Sequence, residues 1–380
     1  MAGTALLKYP GGKERELPII TAHLPEAFRD FYDPFVGGGS VFFGVTADRY
    51  FINDRSDELI GLYRAVQTGD ADFFRALTGI NENWKLLTRI VREHAGVLSD
   101  LYGGFREERI SADRLSDRIF EFMFEHGGEF NGMLHADFNY HIDNFIGELR
   151  VNLLRKMQNM RRIERKSGLL LPADVVDNIE CAFKSAFYMH FRYLMNHRDE
   201  IGESAGFDAA VYLFIRDTCY SSMFRYNSHG GFNVPYGGIS YNRKNFDKKL
   251  VQYRDEAFLR RLGETTIGCA DFQTFMEAHR PTEEDLVFLD PPYDTEFSTY
   301  AENEFSQGDQ ERLAEYLMNE CQGMFMMVVK NTELIQRLYP EGAPCANGRV
   351  LKISSFDKRY SVSFMNRNDK NVKHLMITNY

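Results

Sequence analysis

The sequence has few cysteines and no long apolar run. Its five cysteines, an odd number among 380 residues, are scattered without the spacing of metal ligands, at positions 181, 219, 269, 321 and 345. This pattern predicts free thiols in a reducing compartment and no metal site. Apolar runs such as "MFMMVV" are too short to cross a bilayer, and the first residues lack the apolar stretch of a signal peptide. We therefore expect a soluble, intracellular protein.

An excess of positive charge is also missing, because the net charge is −10. That balance argues against a protein that coats a polyanion with its whole surface. Residues 216–262, however, contain nine basic residues and only four acidic ones. The basic residues are Arg216, Arg225, Arg243, Lys244, Lys248, Lys249, Arg254, Arg260 and Arg261. Such a local excess is typical of a site that neutralises phosphates, and a solvated basic face is the alternative.

The pattern of apolar, polar and turn residues differs between regions of the chain. Residues 31–69 and about 265–330 alternate short apolar strands, turns and helical patterns, which indicates an α/β domain. Residues 70–205 predict a helical insertion, in which Val151, Leu154, Met157, Met160 and Ile163 recur at helical spacing. The stretch from 216 to 262 is rich in Tyr, Asn, Gly and Arg and predicts loops.

A glycine turn follows the first predicted strand. "FYDPFVGGGSVFFGVT" reads as strand, turn and helix, with Asp33 leaving the strand and Gly37, Gly38 and Gly39 in the turn. The next apolar run, "RYFIND", ends at Asp54, 17 residues after Gly37. This is near the spacing at which a second-strand acid holds ribose hydroxyls, which favours a ligand containing a nucleoside. An ordinary turn and an ordinary cap are the alternatives.

The stretch "DLVFLDPPYD" places Asp290 directly after a predicted buried parallel strand. Pro291 and Pro292 lack backbone donors and fix φ, so the preceding carbonyls become rigid acceptors. These acceptors suit the two protons of an exocyclic amino group, and Tyr293 offers a face on which a base can stack. A purely structural turn is the alternative.

Seven short motifs occur in one order along the chain: "KYPGGK", "DPFVGGGS", "IND", "RYN" with "GGFNVPYG", "CADF", "DPPYD" and "ITNY". On these motifs the chain resembles the Dam-type DNA adenine-N6 methyltransferases, the alpha group of the D12 class. The resemblance covers roughly residues 5–69 and 211–380.

The resemblance implies a Rossmann-like S-adenosylmethionine-dependent methyltransferase sheet with a helical insertion and a small target recognition domain. The implied catalytic domain is 1–69 with 265–380, the insertion is 70–205 and the recognition segment is 206–264. The implied catalytic residues are Lys13, Asp290, Pro291, Pro292 and Tyr293. Those implied for binding S-adenosylmethionine are Tyr9, Gly11, Gly12, Asp33, Phe35, Gly37, Gly39, Asp54, Asp271 and Phe272. Those implied for binding DNA are Tyr220, Met223, Arg225, Asn227, Asn233 and Pro235.

The implied reaction is site-specific methylation of N6 on an adenine flipped out of double-stranded DNA, with a restriction endonuclease as a further possible partner. The alternatives are methylation of cytosine N4 or of an RNA base, and a DNA-binding relative without activity.

Enzymes of this type that recognise GATC usually carry an arginine after the "FNVPFG" motif, where this sequence has Gly238. GATC recognition is therefore not predicted. The insertion is longer than is usual, and its basic stretch 150–166 is either a DNA clamp or a solvated helix face.

Overall fold

The strands in the described part of the chain form one seven-stranded sheet. The computed structural model describes residues 5–9, 11–131, 142–223, 225–227, 229–292, 305–359 and 371–380. The strands are β1 Asp30–Asp33, β2 Arg49–Asn53, β3 Thr265–Gly268, β4 Leu286–Leu289, β5 Met324–Lys330, β6 Lys352–Arg359 and β7 Asn371–Thr378. Their order in the sheet is β3-β2-β1-β4-β5-β7-β6, and β1 to β5 run parallel while β7 runs antiparallel to both neighbours.

Fifteen α-helices are described along the chain. They are α1 Leu17–Ala22, α2 Asp57–Gln67, α3 Ala71–Glu93, α4 Ala95–Arg106, α5 Ala112–Glu125, α6 Gly127–Asn131, α7 Ile142–Ser167, α8 Pro172–Asn196, α9 Arg198–Ile201, α10 Ala205–Thr218, α11 Asp247–Gln252, α12 Glu256–Gly263, α13 Phe272–His279, α14 Gln307–Asn319 and α15 Glu333–Leu338. None of these described helices combines the length and the apolar character that a membrane span requires.

The chain divides into two units, residues 1–67 with 259–380 and residues 68–258. The first, the sheet unit, contains all seven strands. Strand order reverses between β1 and β4, and in open α/β sheets ligands bind beyond the carboxyl ends of the strands at such a point. Every residue of β1 and of β4 is buried. For β4, the apolar sequence "LVFL" predicts this burial.

The second unit, the helical unit, is built mainly from α3, α7, α8 and α10. Trp84 is buried at its centre, with ring centroids 5.4 Å from Phe214 and 5.7 Å from Tyr236. Helix α10 approaches the start of α3 so closely that a Cβ on Gly206 would lie 2.1 Å from Asp70 Oδ1. Asp70 caps α3 by accepting a hydrogen bond from Phe73 N. Glycine at 206 is therefore required for this helix contact.

Three local predictions differ from the structure. The helix over 142–167 is confirmed, but its buried face includes Leu149, Leu153, Met157 and Met160, whereas Val151 and Ile163 are exposed. A step of three residues turns an α-helix by about 300°, which is about 60° short of a full turn. The predicted row of apolar residues therefore drifts off the buried face. The segment predicted as loops contains α11 and most of α12. The glycine turn leads into one 3-10 turn, Phe42–Gly44, in place of an α-helix.

Candidate active site

Three aspartates lie at the carboxyl ends of three neighbouring parallel strands. Asp33 is the last residue of β1, Asp54 directly follows β2 and Asp290 directly follows β4. The sheet therefore brings together acids that are 257 residues apart in the chain, between 33 and 290. These are the strand-end acids that the sequence pattern singled out.

Asp33 is buried, with 2% of its surface exposed. Burial raises the pKa of its carboxyl well above the ordinary value, and the carboxylates of Asp290 and Asp54 raise it further. The backbone N–H of Phe35 donates to Asp33 Oδ1 at 3.3 Å and acts in the opposite direction, as does Lys13. The ionised form of Asp33 is thus disfavoured, and a cationic ligand beside it would favour ionisation.

Lys13 is almost fully buried and forms an ion pair with Asp290 Oδ2. Its Nζ also donates to the carbonyl of Gly11 at 2.9 Å, and its backbone N donates to Ser40 Oγ at 3.0 Å. The side chain of Asp290 remains 21% exposed. The pair fixes the carboxylate at the end of β4 while leaving part of it accessible.

The glycine turn packs tightly against the segment before α1. Gly37 and Gly39 have φ of +48° and +79°, which favours glycine at both positions. A Cβ on Gly38 would lie 2.4 Å from the carbonyl oxygen of Leu7, and one on Gly37 would lie 3.2 Å from the Tyr9 ring. Asp54 Oδ2 accepts a hydrogen bond from Gly37 N at 3.2 Å. Turn conformation and packing therefore explain these glycines without a ligand.

Two polar residues for which no role was predicted hold the site together. Asn53 is 1% exposed; its Nδ2 donates to the carbonyls of Pro34 and Ala270, and its Oδ1 accepts from Ala270 N, which ties the ends of β1, β2 and β3. Gln310 on α14 is fully buried, and its Nε2 donates to the carbonyl of Pro292 at 2.9 Å. The sequence contains a signal for the role of Asn53, because a polar residue there follows the apolar residues of the run "RYFIND". No local signal points to Gln310.

Asp271 and Phe272 lie at the start of α13. Asp271 caps the helix by accepting from Gln273 N and pairs with Arg312 at 3.0 Å. Burial alone would raise its pKa, but the hydrogen bonds from Arg312 and Gln273 hold it below its ordinary value. Phe272 is 1% exposed, and its ring centroid lies 5.7 Å from that of Phe35. Among the predicted catalytic residues, Tyr293 lies outside the described part of the chain.

The predicted DNA-binding residues are grouped in one hairpin-like segment of the helical unit. Antiparallel bridges join Cys219 to Tyr236 and Tyr226 to Phe232. Tyr220 and Pro235 are exposed on this segment, and Met223 is half-buried. The structure brings two more predicted residues together, since Arg225 Nε donates to Asn233 Oδ1 at 3.0 Å.

Asn227 has a local structural role in the same segment. Its Oδ1 accepts from the backbone N–H groups of His229 and Gly231, which closes the turn that the Tyr226–Phe232 bridge encloses. The side chain therefore acts as a turn former, as asparagine often does.

The nine basic residues between 216 and 262 divide into two groups. Arg216 is 1% exposed, Lys244 donates to the carbonyl of Asp217, Lys249 pairs with Asp217 at 3.6 Å, and Arg261 donates to the carbonyls of Phe42 and Phe43. The exposed ones are Arg225, Arg243, Lys248, Arg254 and Arg260. Only part of the local positive charge is thus available to a polyanion.

A family profile described as D12 class N6 adenine-specific DNA methyltransferase matches residues 9–361. The chain belongs to this family. It is an adenine-specific methyltransferase whose substrate is DNA, and the mostly parallel sheet agrees with the Rossmann-like fold of such enzymes.

Individual relatives of this DNA methyltransferase are distant in sequence. The type II methyltransferase M.CviBI of Paramecium bursaria Chlorella virus NC1A is 24% identical over 383 residues, which cover 99% of each chain. A DNA N-6-adenine-methyltransferase of Escherichia phage P1 is 37% identical over 318 residues, which are 82% of this chain and 28% of that protein. A DNA adenine methylase of Vibrio cholerae is 23% identical over 317 residues, which are 82% and 74% of the two chains.

Proposed function

We propose that this methyltransferase transfers the methyl group of S-adenosylmethionine to N6 of an adenine rotated out of double-stranded DNA. The observation that carries the proposal is the meeting of Asp33, Asp54 and Asp290 at the carboxyl ends of adjacent strands. When bound, S-adenosylmethionine supplies an electrophilic methyl group on a sulfonium.

The acids of this site fit a cationic nucleoside. The buried Asp33 becomes ionised at low cost only beside a positive charge, and S-adenosylmethionine carries both an ammonium and a sulfonium. Asp54 would accept hydrogen bonds from the ribose hydroxyls at the end of β2, where second-strand acids hold ribose. The other proposed contacts of the cofactor are Tyr9, Gly11, Gly12, Phe35, Gly37, Gly39, Asp271 and Phe272.

Asp290 and the carbonyl of Pro291 would accept the two protons of the adenine amino group. This directs the nitrogen lone pair towards the methyl group and stabilises the positive charge that develops on nitrogen. The carbonyl of Pro292 already accepts from Gln310, which leaves the Pro291 carbonyl for the base. Lys13 would hold Asp290 in place before the base enters, and stacking on Tyr293 remains a prediction from the motif.

Recognition of DNA would fall to the hairpin-like segment of the helical unit. The bond from Arg225 Nε to Asn233 fixes the plane of the guanidinium, so that its terminal nitrogens can meet O6 and N7 of a guanine. Tyr220 and Met223 would fill the gap in the base stack when the adenine leaves it. We propose that the activity operates in the cytoplasm of a bacterial or phage-infected cell, where a cognate restriction endonuclease could act on the same sequence.

The proposal is tested by modified-base sequencing of DNA from a methylation-free host that expresses the chain. We expect N6-methyladenine in one short motif, and a strongly reduced fraction of methylated sites with the matched variant Asp290→Ala. Methylation of cytosine N4, or methylation of RNA alone by the purified protein, would contradict it. Calorimetry with S-adenosylmethionine tests the cofactor separately, because a protein that methylates DNA must bind its donor.

Substitution of Arg225 by alanine tests the reading of bases. We expect a loss of about 1–3 kcal/mol in binding to the recognised sequence together with relaxed specificity at one base pair. The matched variant Lys248→Ala, which removes an exposed charge from α11 of the same unit, should weaken binding to all sequences alike. Titration of cognate and scrambled duplexes by fluorescence anisotropy distinguishes the two effects. Equal weakening by both variants would show that Arg225 contacts phosphate only.

A further inference from the structure

Two histidines and a glutamate gather where four helices of the helical unit end or begin. His94 lies between α3 and α4, His126 follows the last residue of α5, and Glu129 lies within α6. Their potential ligand atoms all lie within 4.8 Å of one another. This cluster has no part in the proposed transfer of the methyl group.

Both imidazoles face the same carboxylate. His94 Nε2 lies 2.9 Å from Glu129 Oε1 and 3.1 Å from Oε2, and His126 Nδ1 lies 3.1 Å from Oε1. The two imidazole centroids are only 3.9 Å apart. The side chains are partly shielded, with exposed fractions of 20% for His94, 25% for His126 and 36% for Glu129.

We propose that His94, His126 and Glu129 bind a zinc ion. Zinc accepts imidazole nitrogen and carboxylate oxygen at roughly 2.0–2.2 Å, so the donor atoms of a tetrahedral site are roughly 3.4 Å apart. The observed separations of 2.9 and 3.1 Å need to widen by only a few tenths of an ångström. The nitrogen of each histidine that faces Glu129 would bind zinc through its lone pair, and the proton of the neutral imidazole would sit on the other ring nitrogen. Zinc binding to neutral imidazoles therefore releases no proton. Water would complete the fourth position.

Helix termini of both signs meet at this place. His94 and His126 occupy the C-terminal caps of α3 and α5, whose partial negative charge stabilises a nearby positive ion. His94 is also the N-terminal cap of α4, whose partial positive charge acts in the opposite direction. A bound zinc would join helix ends that hydrogen bonds through Glu129 otherwise connect.

The sequence does not predict this site, because the spacing of the cysteines has no bearing on it. Two helices, α4 and α5, lie between His94 and His126, so no short spacing motif contains both histidines. Folding brings them together.

The experiment uses the full, tag-free chain purified from medium supplemented with zinc. We expect about one zinc per chain by mass spectrometry of metals, a lower melting temperature after chelation, and recovery when zinc is returned. His126→Gln and Glu129→Gln should each weaken zinc binding by at least about 100-fold, more than the loss of an outer partner of a metal ligand costs. His197→Gln is the matched control, because His197 also caps a helix but bonds to the carbonyl of Tyr193.

X-ray absorption at the zinc edge of the wild-type protein gives a test that needs no variant. Scattering from two imidazoles and additional oxygen at about 2.0–2.1 Å would support the site. Sulfur scattering, or zinc content and stability equal in wild type and in His94→Gln/His126→Gln, would overturn it. In that case the cluster is a hydrogen-bonded triad that stabilises the helix ends without an ion.

Discussion

The two ends of the sheet both carry buried aspartates, but these aspartates differ in their partners. At the amino ends of β1 and β4, Asp30 and Asp285 are 0% and 1% exposed and bond to arginines: Arg49 lies 2.6 Å from Asp30 and Arg29 lies 3.1 Å from Asp285. At the carboxyl ends, buried Asp33 is surrounded by other carboxylates and Lys13. Buried acids with arginine partners hold the fold together, whereas acids grouped with acids are suited to a cationic ligand.

The largest effect should come from the carboxyl end of the sheet. Asp290→Ala removes a preorganised acceptor of the adenine amino group and should lower turnover on the order of 10²- to 10³-fold. Binding of S-adenosylmethionine, followed by calorimetry, should remain, whereas the melting temperature should fall because the buried Lys13 loses its ionic partner. Single-turnover rates with radiolabelled cofactor give the measurement. A normal rate would show that Asp290 has no catalytic role.

The matching change at the amino end should affect stability instead. Asp285 accepts hydrogen bonds from Thr282 N at 2.7 Å and from Thr282 Oγ1 at 2.8 Å, besides its pair with Arg29. Asp285→Ala also leaves the buried backbone N–H of Asp30 without this acceptor, and it should cost about 1–3 kcal/mol of unfolding free energy, as measured with denaturant. Turnover below the unfolding transition should equal that of wild type. A large loss of turnover in a folded variant would remove the distinction between the two ends.

A smaller effect should follow substitution of Gln310 by methionine. The bond from Gln310 to the carbonyl of Pro292 positions the segment after β4, and a single hydrogen bond contributes about 0.5–1.5 kcal/mol. We expect kcat to fall by about 2- to 12-fold while KM for S-adenosylmethionine stays constant. Equal changes in kcat and in that KM would assign Gln310 a general structural role.

The smallest effect concerns Asp33 and depends on pH. Its pKa is raised in the folded protein by burial and by Asp290, so the folded state holds a proton that the unfolded state has lost above its ordinary pKa. The stability of the wild type without cofactor should therefore fall as pH rises from the ordinary aspartate pKa towards the raised one, and then level off. Asp33→Asn, which keeps the acceptor for Phe35 N, should remove this slope and raise the melting temperature more at pH 8 than at pH 5. An unchanged pH dependence would contradict the burial argument.

The sequence predicted the strand-end acids because an apolar run that ends in aspartate marks both the strand and its exit. Asp33, Asp54 and Asp290 follow from that rule. The pairing of Lys13 with Asp290 spans 277 positions, and only the resemblance placed Lys13 near the site. No local pattern marks Gln310, whose partner also lies on another element.

In the helical unit, composition was a weaker guide than in the sheet unit. A count of basic residues treats Arg216 and Arg225 alike, yet one is buried and the other exposed. Asn227 matched a motif expected to bind DNA, and the structure shows its side chain closing a turn. Exposure depends on tertiary packing, which a residue count does not contain.

The insertion of 68–258 between β2 and β3 also affects how the protein is made. Strand β1 pairs with β4, and the neighbouring bond from Arg29 to Glu284 spans 255 residues. At ribosomal rates of about 5–20 residues per second, that span takes on the order of 10–50 s to synthesise. The helical unit is contiguous and has its full set of partners before β4 leaves the ribosome. During that interval the edge of β1 that pairs with β4 lacks its neighbour, and unpaired strand edges are prone to aggregate.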